Sequence, residues 1–480
     1  MKLMELYQNK IMGAISGLDR IRFRGTLRWL ASQSGLASFM SHTHILLKDF
    51  SGWVERLTAQ VRDSCQSQAT DLGIEMRYLN SSGVDKEKLA RQIAVDKGIT
   101  EGSICMFSVV EPCIAPMVKG NKASKKLELV MAPRKCVFVY HYFDDPEFGF
   151  GHVRIQSWVP FNIFICLNGR HWLQRQMDKH GIGYIKDGNC FPWIEDVTAA
   201  QALLNEQLKT DWPTMLNRLS LGSCPALPQV LRPLRPDYYW SADETEWATD
   251  IMFKSVEDLD VLYPSLVHHA MRVSDSSSVM KYLGRRSLVG YACKEVISDY
   301  RKRYEGIRVK HRVNYNSVKM YNKSGSILRI ETTVNNTRDF KVFRHPDDDK
   351  GRPASWQKMR KGVSDLHRRC QVSQQCNERY TDALATAQVQ EKLKEVAASA
   401  CNKIVKDGKK YRGLNPWQQE DHLLLMFLAK GENAINGFRN HDLCKWLYPE
   451  SEQAGKDQQK KYSGRTTRRI KLLRVHGLIR

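Results

Sequence analysis

The chain has 480 residues, 42% of them hydrophobic and 9% aromatic, a composition that supports folded domains and excludes wholesale disorder. Its 74 Lys and Arg against 52 Asp and Glu give a formal net charge of +22. Residues 301–480 carry 39 of these basic and 19 of the acidic side chains, net +20, which leaves 35 and 33, net +2, for residues 1–300. Such segregated charge predicts a polyanionic partner, because each phosphate that is neutralised releases condensed counterions.

The cysteines and the apolar segments restrict the environment of the chain. Twelve cysteines are dispersed singly, and none forms the C-x-x-C spacing of a zinc or redox motif. The sequence has no apolar run of about 18 residues, and its first residues lack the long apolar core of a signal peptide. We therefore expect reduced thiols, a cytoplasmic location and no membrane partner.

Residues 1–192 are predicted to form an α+β domain built on an antiparallel sheet. The segment GLDRIRFRGTL, residues 17–27, alternates apolar and basic side chains, which predicts a strand near a sheet edge. Further β-type segments follow between residues 104 and 167, and the link DDPEFGFG has turn chemistry. Residues 193–305 are predicted to be mainly helical, with a Pro-rich link at 224–236.

An acidic segment, YYWSADETEWATD, covers residues 238–250. On a helix, Asp243, Glu246 and Asp250 would share one side. The simplest interpretation is a helix N-terminus, where acids are favoured by the helix dipole, and the alternative is a metal site.

A hairpin is predicted at SVKMYNKSGSILRIETTV, residues 317–334, within a segment 306–400 that also holds a long basic helix from about residue 356 to 387. Because side chains alternate along a strand, one face is apolar and the other is polar. The polar face comprises Lys319, Tyr321, Lys323, Arg329 and Glu331. An acid among cations can hold a divalent metal with phosphate as co-ligand. Equally, cross-strand ion pairs commonly decorate the wet face of an antiparallel sheet.

The pattern K-x-Y-x-K followed by L-R-x-E resembles the core strands of replication initiators from rolling-circle plasmids and filamentous phages. The resemblance covers only the hairpin, and it implies that Glu331 lies near a metal and nicking centre, with Tyr321 and Lys323 on the preceding strand. The tyrosine nucleophile and the two-histidine metal motif of that family have no unambiguous counterpart, since the H-x-H at 42–44 is not in a clear strand.

Other residues suggest phosphoryl-transfer chemistry. Asp19 with Asp144 or Asp145 and Glu331 would form a carboxylate cluster of the ribonuclease-H-like kind, which binds Mg²⁺ or Mn²⁺ for two-metal catalysis. Tyr380, on the long helix, is a candidate nicking nucleophile, although apolar residues on the same helix face favour a buried structural role. Four further side chains of this region fit phosphate contact better: Arg360, Lys361, Arg368 and Arg369.

The C-terminal segment, residues 412–480, resembles a winged-helix domain. Helical patterns at 420–432 and 435–447 precede a third helix at 463–480, which the resemblance identifies as the recognition helix. The basic side chains that this helix would present to DNA are Arg465, Arg468, Arg469, Lys471 and Arg474. The alternative is a small helical bundle with a solvated basic face, and winged helices also bind proteins.

Together these features predict an α+β protein with helical insertions, a long basic helix and a C-terminal winged helix. The predicted function is that of a mobile-element DNA-processing protein, similar to a replication initiator or transposase, with metal-dependent strand nicking. The alternatives are a DNA- or RNA-binding protein without enzymatic activity and a protein-interaction scaffold. DNA is the expected partner, and the sequence allows a homodimer.

Overall fold

The computed structural model describes residues 2–30, 32–123, 125–234, 237–284, 296–303, 306–346, 351–385, 397–398, 400–406, 408–430, 433 and 437–479. Its strands are β1 Ile11–Thr26, β2 Met76–Leu79, β3 Gly102–Asn121, β4 Lys126–Asp145, β5 Gly149–Gln156, β6 Ile163–Asn168, β7 Tyr184–Asp187, β8 Cys190–Ile194, β9 Tyr239–Phe253, β10 Val296–Arg303, β11 Gly306–Val313, β12 Asn316–Lys323, β13 Ile327–Val334, β14 Lys341–Arg344, β15 Ser355–Lys358, β16 Ile404–Lys406 and β17 Lys409–Tyr411.

The helices alternate with these strands. They are α1 Lys2–Leu6, α2 Gln33–His42, α3 Phe50–Asp71, α4 Lys86–Asp96, α5 Gly169–His180, α6 Val197–Gln207, α7 Trp212–Ser223, α8 Leu227–Val230, α9 Val256–Val273, α10 Ser276–Tyr282, α11 Leu366–Leu384, α12 Gln419–Ala429, α13 Asn440–Leu447 and α14 Lys456–Val475. Helices and a large, mainly antiparallel sheet make this an α+β protein, as the sequence predicts.

Within the described residues, eleven strands form one sheet in the order β10-β11-β12-β13-β9-β1-β6-β5-β4-β3-β2. All neighbouring strands are antiparallel except β2 and β3, which are parallel. The two long strands β1 and β9 pair with each other at the centre, from Ile11 opposite Phe253 to Thr26 opposite Tyr239. The first residues of these two strands, Ile11 and Tyr239, are 228 positions apart in the sequence. The middle of the sheet therefore depends on pairing between distant segments of the chain.

The same order of elements occurs twice along the chain. β1 is followed by helices, the meander β3-β4-β5-β6 and the hairpin β7-β8, and β9 by helices, the meander β10-β11-β12-β13 and the hairpin β14-β15. In the sheet, β6 lies beside β1 as β13 lies beside β9, so the two meanders extend outward in opposite directions. The centre of the sheet is therefore the junction of two topologically similar units.

Apolar side chains alternate along the second meander and cover one of its faces. Val309 of β11, Val318 and Met320 of β12, and Leu328 and Ile330 of β13 are buried in one core with α9, α10 and α11. The period of two puts the intervening polar residues on the opposite face. The helices thus cover one side of this half of the sheet and leave the polar side for the site described below.

The structure corrects three sequence predictions for these regions and confirms a fourth. β1 was expected near a sheet edge, but it lies at the centre, and its basic residues face the polar side of the sheet. Residues 238–250 fall in strand β9 rather than in a helix, so the region 193–305 is not mainly helical throughout. The predicted hairpin at 317–334 is confirmed as β12 and β13. The long helix is shorter than expected, Leu366–Leu384, and the predicted end at 387 lies outside the described residues.

The C-terminal helices pack around a separate core. Leu424 and Phe427 of α12, Leu443 of α13 and Leu472 and Leu473 of α14 form it. The two-stranded β16-β17 hairpin precedes the first of these helices. The winged-helix assignment of this module stays a prediction. Among the described residues, no helix has the length and the apolar character needed to cross a bilayer.

These cores predict where the chain tolerates truncation. Removal of residues 400–480 should leave a protein that unfolds cooperatively close to the temperature of the full chain, because its cores are intact. Removal of residues 301–480 should lower the unfolding temperature strongly and leave a transition only for the core of residues 15–252, because it exposes the edge of β9 and the apolar faces of α9 and α10. Thermal unfolding followed by circular dichroism checks both; an unfolding temperature of the shorter fragment equal to that of the full chain would contradict this assignment of the cores.

Candidate functional site

Three carboxylates meet on the polar face at the centre of the sheet. Asp19 of β1, Glu246 of β9 and Glu331 of β13 each place one carboxylate oxygen within 4.8 Å of the others. The three strands are neighbours, in the order β13-β9-β1. Asp19 lies at an irregularity of β1 between Leu18 and Ile21, where the pairing with β9 shifts. A bulge of this kind re-aims side chains, and here it turns Asp19 towards the other two acids.

Two side chains of β12 complete the acid cluster. Lys319 lies directly opposite Glu331, and its Nζ atom is 2.5 Å from Oε1 of Glu331 and 3.5 Å from Oε1 of Glu246. The Tyr321 hydroxyl donates a hydrogen bond of 2.9 Å to Oε2 of Glu331. The alternation predicted from the sequence is therefore confirmed for these residues. Lys319 and Tyr321 both contact Glu331, and their predicted phosphate contacts stay predictions.

Below the acid cluster, Arg329 forms a fully buried network of ion pairs. Its guanidinium donates from Nε to Oδ1 of Asp250 at 2.5 Å, from Nη1 to Oδ2 of Asp19 at 3.0 Å and from Nη2 to the carbonyl of Asn189 at 2.7 Å. Arg170, the second residue of α5, is 3.0 Å from the other oxygen of Asp250. The prediction that Arg329 contacts phosphate is wrong, because each of its nitrogens already binds a protein oxygen and none reaches solvent.

Amide side chains hold Asp19 from the other side. Nδ2 of Asn189, in the β7-β8 turn, lies 2.8 and 2.7 Å from the two Asp19 oxygens, and Nδ2 of Asn168, the N-cap of α5, lies 3.1 Å from Oδ1. Lys323 donates to the Asn189 side chain, so it too belongs to this network and not to a free cationic surface. Burial alone would raise the pKa of Asp19, but Arg329, Arg170 and Asn189 outweigh it and lower that pKa.

Glu246 differs from Asp19 in its protonation. Burial, followed by the charge of Glu331, raises the pKa of Glu246 to about 8, and Lys319 only partly opposes this. Lys319 itself is stabilised in its charged form, since Glu331 and Glu246 outweigh burial and raise its pKa. Near neutral pH the acid cluster thus holds an ionised Asp19, a charged Lys319 and a Glu246 that retains its proton. Environments that separate the pKa values of neighbouring acids are typical of catalytic sites.

Asp145 does not belong to this cluster, so its predicted catalytic and metal-binding role is wrong. Its Oδ1 accepts backbone hydrogen bonds from Glu147 and Phe148, both of 3.0 Å, and its Oδ2 pairs with Arg218 at 2.8 Å. It ends β4, which is three strands away from β1 in the sheet. Asp145 stabilises the β4-β5 turn.

Tyr380 is likewise not placed for nucleophilic attack. Its side chain is fully buried against Tyr282, with ring centroids 5.0 Å apart, and its hydroxyl is 3.0 Å from Nε2 of His311. Burial raises the pKa of the Tyr380 phenol well above its ordinary value. The predicted role as nicking nucleophile is therefore wrong, and the alternative of a buried core tyrosine fits.

Basic side chains surround the acid cluster on the same face of the sheet. Arg301 of β10 lies directly opposite Arg308 of β11, and Lys310 of β11 lies directly opposite Lys319. Directly opposed like charges destabilise a sheet by about 0.2–1 kcal/mol per pair. Asp299 offsets part of this by pairing with Arg301 at 3.4 Å and Arg308 at 3.2 Å. Burial and then Lys319 and Arg308 lower the pKa of Lys310, as expected where positive charge is in excess.

On the other side of the acid cluster, β1 adds a second row of basic residues. Arg20, Arg22 and Arg24 alternate along the strand; the first two are exposed and the third is half-buried. Arg22 is 3.9 Å from Glu244 of β9. We call Arg301 of β10, the β11 residues Arg308, Lys310 and Arg312, and these three arginines together the basic face.

The arginines predicted on the long helix have mixed outcomes. Arg369 is buried and donates to the carbonyls of Ala242 and Val334, so its predicted phosphate contact is wrong. Arg360 and Arg368 both pair with the buried Asp365, at 3.2 and 2.8 Å. Lys361 is exposed. Part of the predicted basic helix is thus structural.

In the C-terminal module, four of the five predicted contacts are exposed on α14. They are Arg465, Arg468, Lys471 and Arg474. Arg469 instead pairs with Glu420 and with the buried Asp421, and the distance to Asp421 is 3.2 Å. Arg469 therefore ties α14 to α12.

Sequence reasoning gave Glu246 and Asp250 only as an alternative metal site on a helix, and it missed Arg170. The sequence around Glu246 and Asp250 does show the alternation typical of a β-strand. The residues that alternate with these acids are Thr245, Trp247, Thr249 and Ile251. The acids of this segment favoured a helix N-terminus instead. Nothing in the local sequence marks Arg170, because its partner Asp250 is 80 residues away.

The raised pKa of Glu246 predicts a pH-dependent stability. Its folded pKa of about 8 exceeds its ordinary value of 4.5, so the folded state binds more protons and the stability falls as pH rises from about 5 to about 8. Glu246→Gln should remove this part of the slope and become the more stable protein above pH 8. Denaturant unfolding of both proteins in the presence of a chelator between pH 5 and 9 tests this; parallel pH profiles would contradict it.

Comparison with known proteins gives no guide to these residues: the chain matches no family model, no curated protein and no solved structure. The function is therefore inferred from the geometry and charge of the site.

Proposed function

We propose that this protein processes nucleic acid by metal-dependent cleavage of a phosphodiester bond at Asp19, Glu246 and Glu331. One observation supports this above all: three carboxylates converge beside a lysine in the middle of an otherwise basic sheet face. A surface that only binds phosphate does not require carboxylates in such a position. DNA is the proposed substrate, and strand nicking, as in a replication initiator or transposase of a mobile element, is the proposed reaction.

The donor set fits a hard divalent cation. The three acids offer carboxylate oxygens, which Mg²⁺ and Mn²⁺ prefer over nitrogen and sulfur ligands. Bound there, such an ion would polarise a phosphoryl oxygen and lower the pKa of a coordinated water. Binding of the ion would be accompanied by a change in the charge of the acid cluster. Glu246 can release its proton, and the half-buried Lys319 can move towards solvent.

The surrounding residues have distinct roles in this proposal. Asn168, Asn189 and Arg329 hold the Asp19 carboxylate in one orientation from three directions. Lys319 is the cation next to the acids and is placed to contact the phosphate under attack. Glu246 holds a proton near neutral pH and releases it to bind the ion, so metal binding at this site is expected to be pH-dependent. The basic face binds the phosphates on either side of the cleaved bond.

A second function, nucleic-acid binding without chemistry, is favoured by a specific observation. Both oxygens of Glu331 already have cationic or hydrogen-bonding partners, Lys319 and Tyr321. In that case the acid cluster is a buried ion-pair lattice that stabilises the sheet, and only the basic face and α14 contact the ligand. The two functions differ in whether Glu331 matters for activity or only for stability.

Cleavage assays separate them. The wild type should nick supercoiled or single-stranded DNA with Mg²⁺ or Mn²⁺, and Glu331→Gln or Asp19→Asn should lower the rate at least about 100-fold, a typical effect of losing a catalytic group. Asp145→Asn is the matched control: it removes an acid that the fold places outside the cluster, so its rate should stay within a few-fold of wild type.

Each result decides between the proposals. No cleavage by the wild type with either metal, on single-stranded, supercoiled or RNA substrates, would leave the binding function. Full activity in Glu331→Gln would remove the acid cluster from the chemistry. Unfolding midpoints measured in parallel show whether a variant lost activity merely because it lost its fold.

The C-terminal module is proposed as the DNA-recognition part, with α14 as its contact helix. Arg468→Ala should weaken duplex binding by about 1–3 kcal/mol if the side chain meets a base edge. Arg469→Ala should instead lower the thermal stability, since it breaks the pair with buried Asp421. Fluorescence anisotropy and thermal unfolding of both variants test this, and equal duplex affinity of Arg468→Ala and wild type would assign the module to protein contact.

A further inference from the structure

The β14-β15 hairpin presents two aromatic rings and two lysines on one outward face. Phe343 lies directly opposite Trp356, and Lys341 lies directly opposite Lys358. Trp356 is 64% exposed and Phe343 is 58% exposed, and their ring centroids are 5.9 Å apart in an edge-to-face arrangement. Both lysines are exposed as well. We call these four side chains the aromatic platform.

The register of the hairpin is fixed by its inner face. Val342 is buried in the core shared with α9 to α11, together with Phe340 and Met359, which flank the hairpin. Arg344 bonds the Lys358 carbonyl at 3.1 Å, which ties the two strands together. A shift by one residue would bury the platform and expose Val342, so the exposure of the two rings follows from a specified register.

Such a face is unfavourable without a ligand. Two neighbouring aromatic rings lose the burial that would stabilise them, and two directly opposed ammonium groups repel each other. A protein partner would satisfy the rings, but it would leave the lysine pair unmatched unless it were also acidic. Unpaired bases of a nucleic-acid strand satisfy both, since each base has a flat π-face for stacking and each nucleotide brings one phosphate.

We infer that the aromatic platform binds a single-stranded stretch of nucleic acid, with bases stacked on Trp356 and Phe343 and adjacent phosphates held by Lys341 and Lys358. This inference rests on the proposed function and narrows its substrate to one with unpaired bases.

The position of the hairpin agrees with this role. β13 carries Glu331 three residues before its last residue, Val334, and the hairpin begins seven residues after Val334. The intervening turn, Thr337–Asp339, contacts the hairpin, so the platform is anchored at the end of the strand that supplies one of the three acids. The platform is thus anchored beside the strand that carries Glu331, and its buried face joins the core on the opposite side of the sheet from the three acids.

Binding of a fluorescent oligo(dT) in the presence of a chelator tests the platform without requiring cleavage. Trp356→Leu should weaken binding roughly tenfold or more, because leucine keeps the apolar contact but removes the stacking face. Trp356→Phe should restore most of the affinity. The matched control is Tyr78→Leu, which removes an aromatic side chain of 56% exposure from β2, at the other edge of the sheet from β10; its affinity should equal that of wild type.

The lysines are tested by the salt dependence of the same binding. Replacement of Lys341 and Lys358 together by alanine should lower the slope of log K against log salt by about 1.4, since each phosphate contact to a single strand contributes about 0.7. All four substituted side chains are exposed, so the unfolding midpoints should stay within a few degrees of wild type.

Two results would overturn the inference. One is wild-type affinity of Trp356→Leu for oligo(dT). The other is equal weakening by Trp356→Leu and Trp356→Phe, which would show that an aromatic ring at this position does not restore binding by stacking. Trp356-dependent binding by a protein that cleaves nothing would refute the proposed cleavage and keep the platform, whereas cleavage with Trp356-independent binding would do the reverse.

Discussion

The centre of this structure depends on one buried cation, the Arg329 guanidinium. It joins β13 to Asp250 of β9 and to Asp19 of β1, so one side chain links three neighbouring strands across the middle of the sheet. Charges without access to water cost several kilocalories per mole unless they are paired and hydrogen-bonded. Arg329 and Arg170 supply two positive charges against the two negative charges of Asp19 and Asp250, and this balance makes it possible to bury all four.

This network also explains why Asp19 and Glu246 differ in protonation. Asp19 is fixed in its ionised form because Arg329, Arg170 and two amides surround it. Glu246 has no such support and lies next to other carboxylates, so it keeps its proton. The difference arises at the junction of the two topologically similar units, where β1 and β9 pair and each contributes one acid. The meanders on either side carry the basic residues outward from this junction.

Local alternation was enough to predict part of the site. The pattern of residues 317–334 places Lys319 and Glu331 on one face and the apolar residues on the other, because a strand has only two faces. It did not reveal that Arg329 is buried, since that depends on the β7-β8 turn covering it. Glu246 was assigned to a helix because several neighbouring acids resemble a helix N-terminus. The predicted carboxylate cluster contained Asp145 instead of Glu246, because the sequence alone does not show which acids approach Asp19.

These predictions failed because the residues that contact each other at the site are far apart in the sequence. Strand order in a sheet of this size is set by pairings such as β1 with β9, and no residue of either strand encodes the identity of the other. The repeated order of elements is likewise invisible in the sequence, because the two units share topology without a detectable repeat. Charge segregation was informative for a different reason: net charge adds up over the sequence whatever the fold, so it could be counted before the strands were known.

The acids at the centre of the basic face would repel a phosphate, and Lys319 is the cation that offsets this repulsion. A phosphate attracted by the surrounding arginines would be repelled by Asp19 and Glu331 unless a cation lay between the phosphate and these two carboxylates. Lys319 occupies that position, with its ammonium group between Glu331 and Glu246. It is also only partly buried, at 15% side-chain exposure, so it can be displaced by a stronger cation or remain as the contact to phosphate. The position of Lys319 in the presence of a divalent ion therefore distinguishes the two proposed functions: displacement from Glu331 fits metal binding, and an unchanged pair with Glu331 fits the ion-pair lattice.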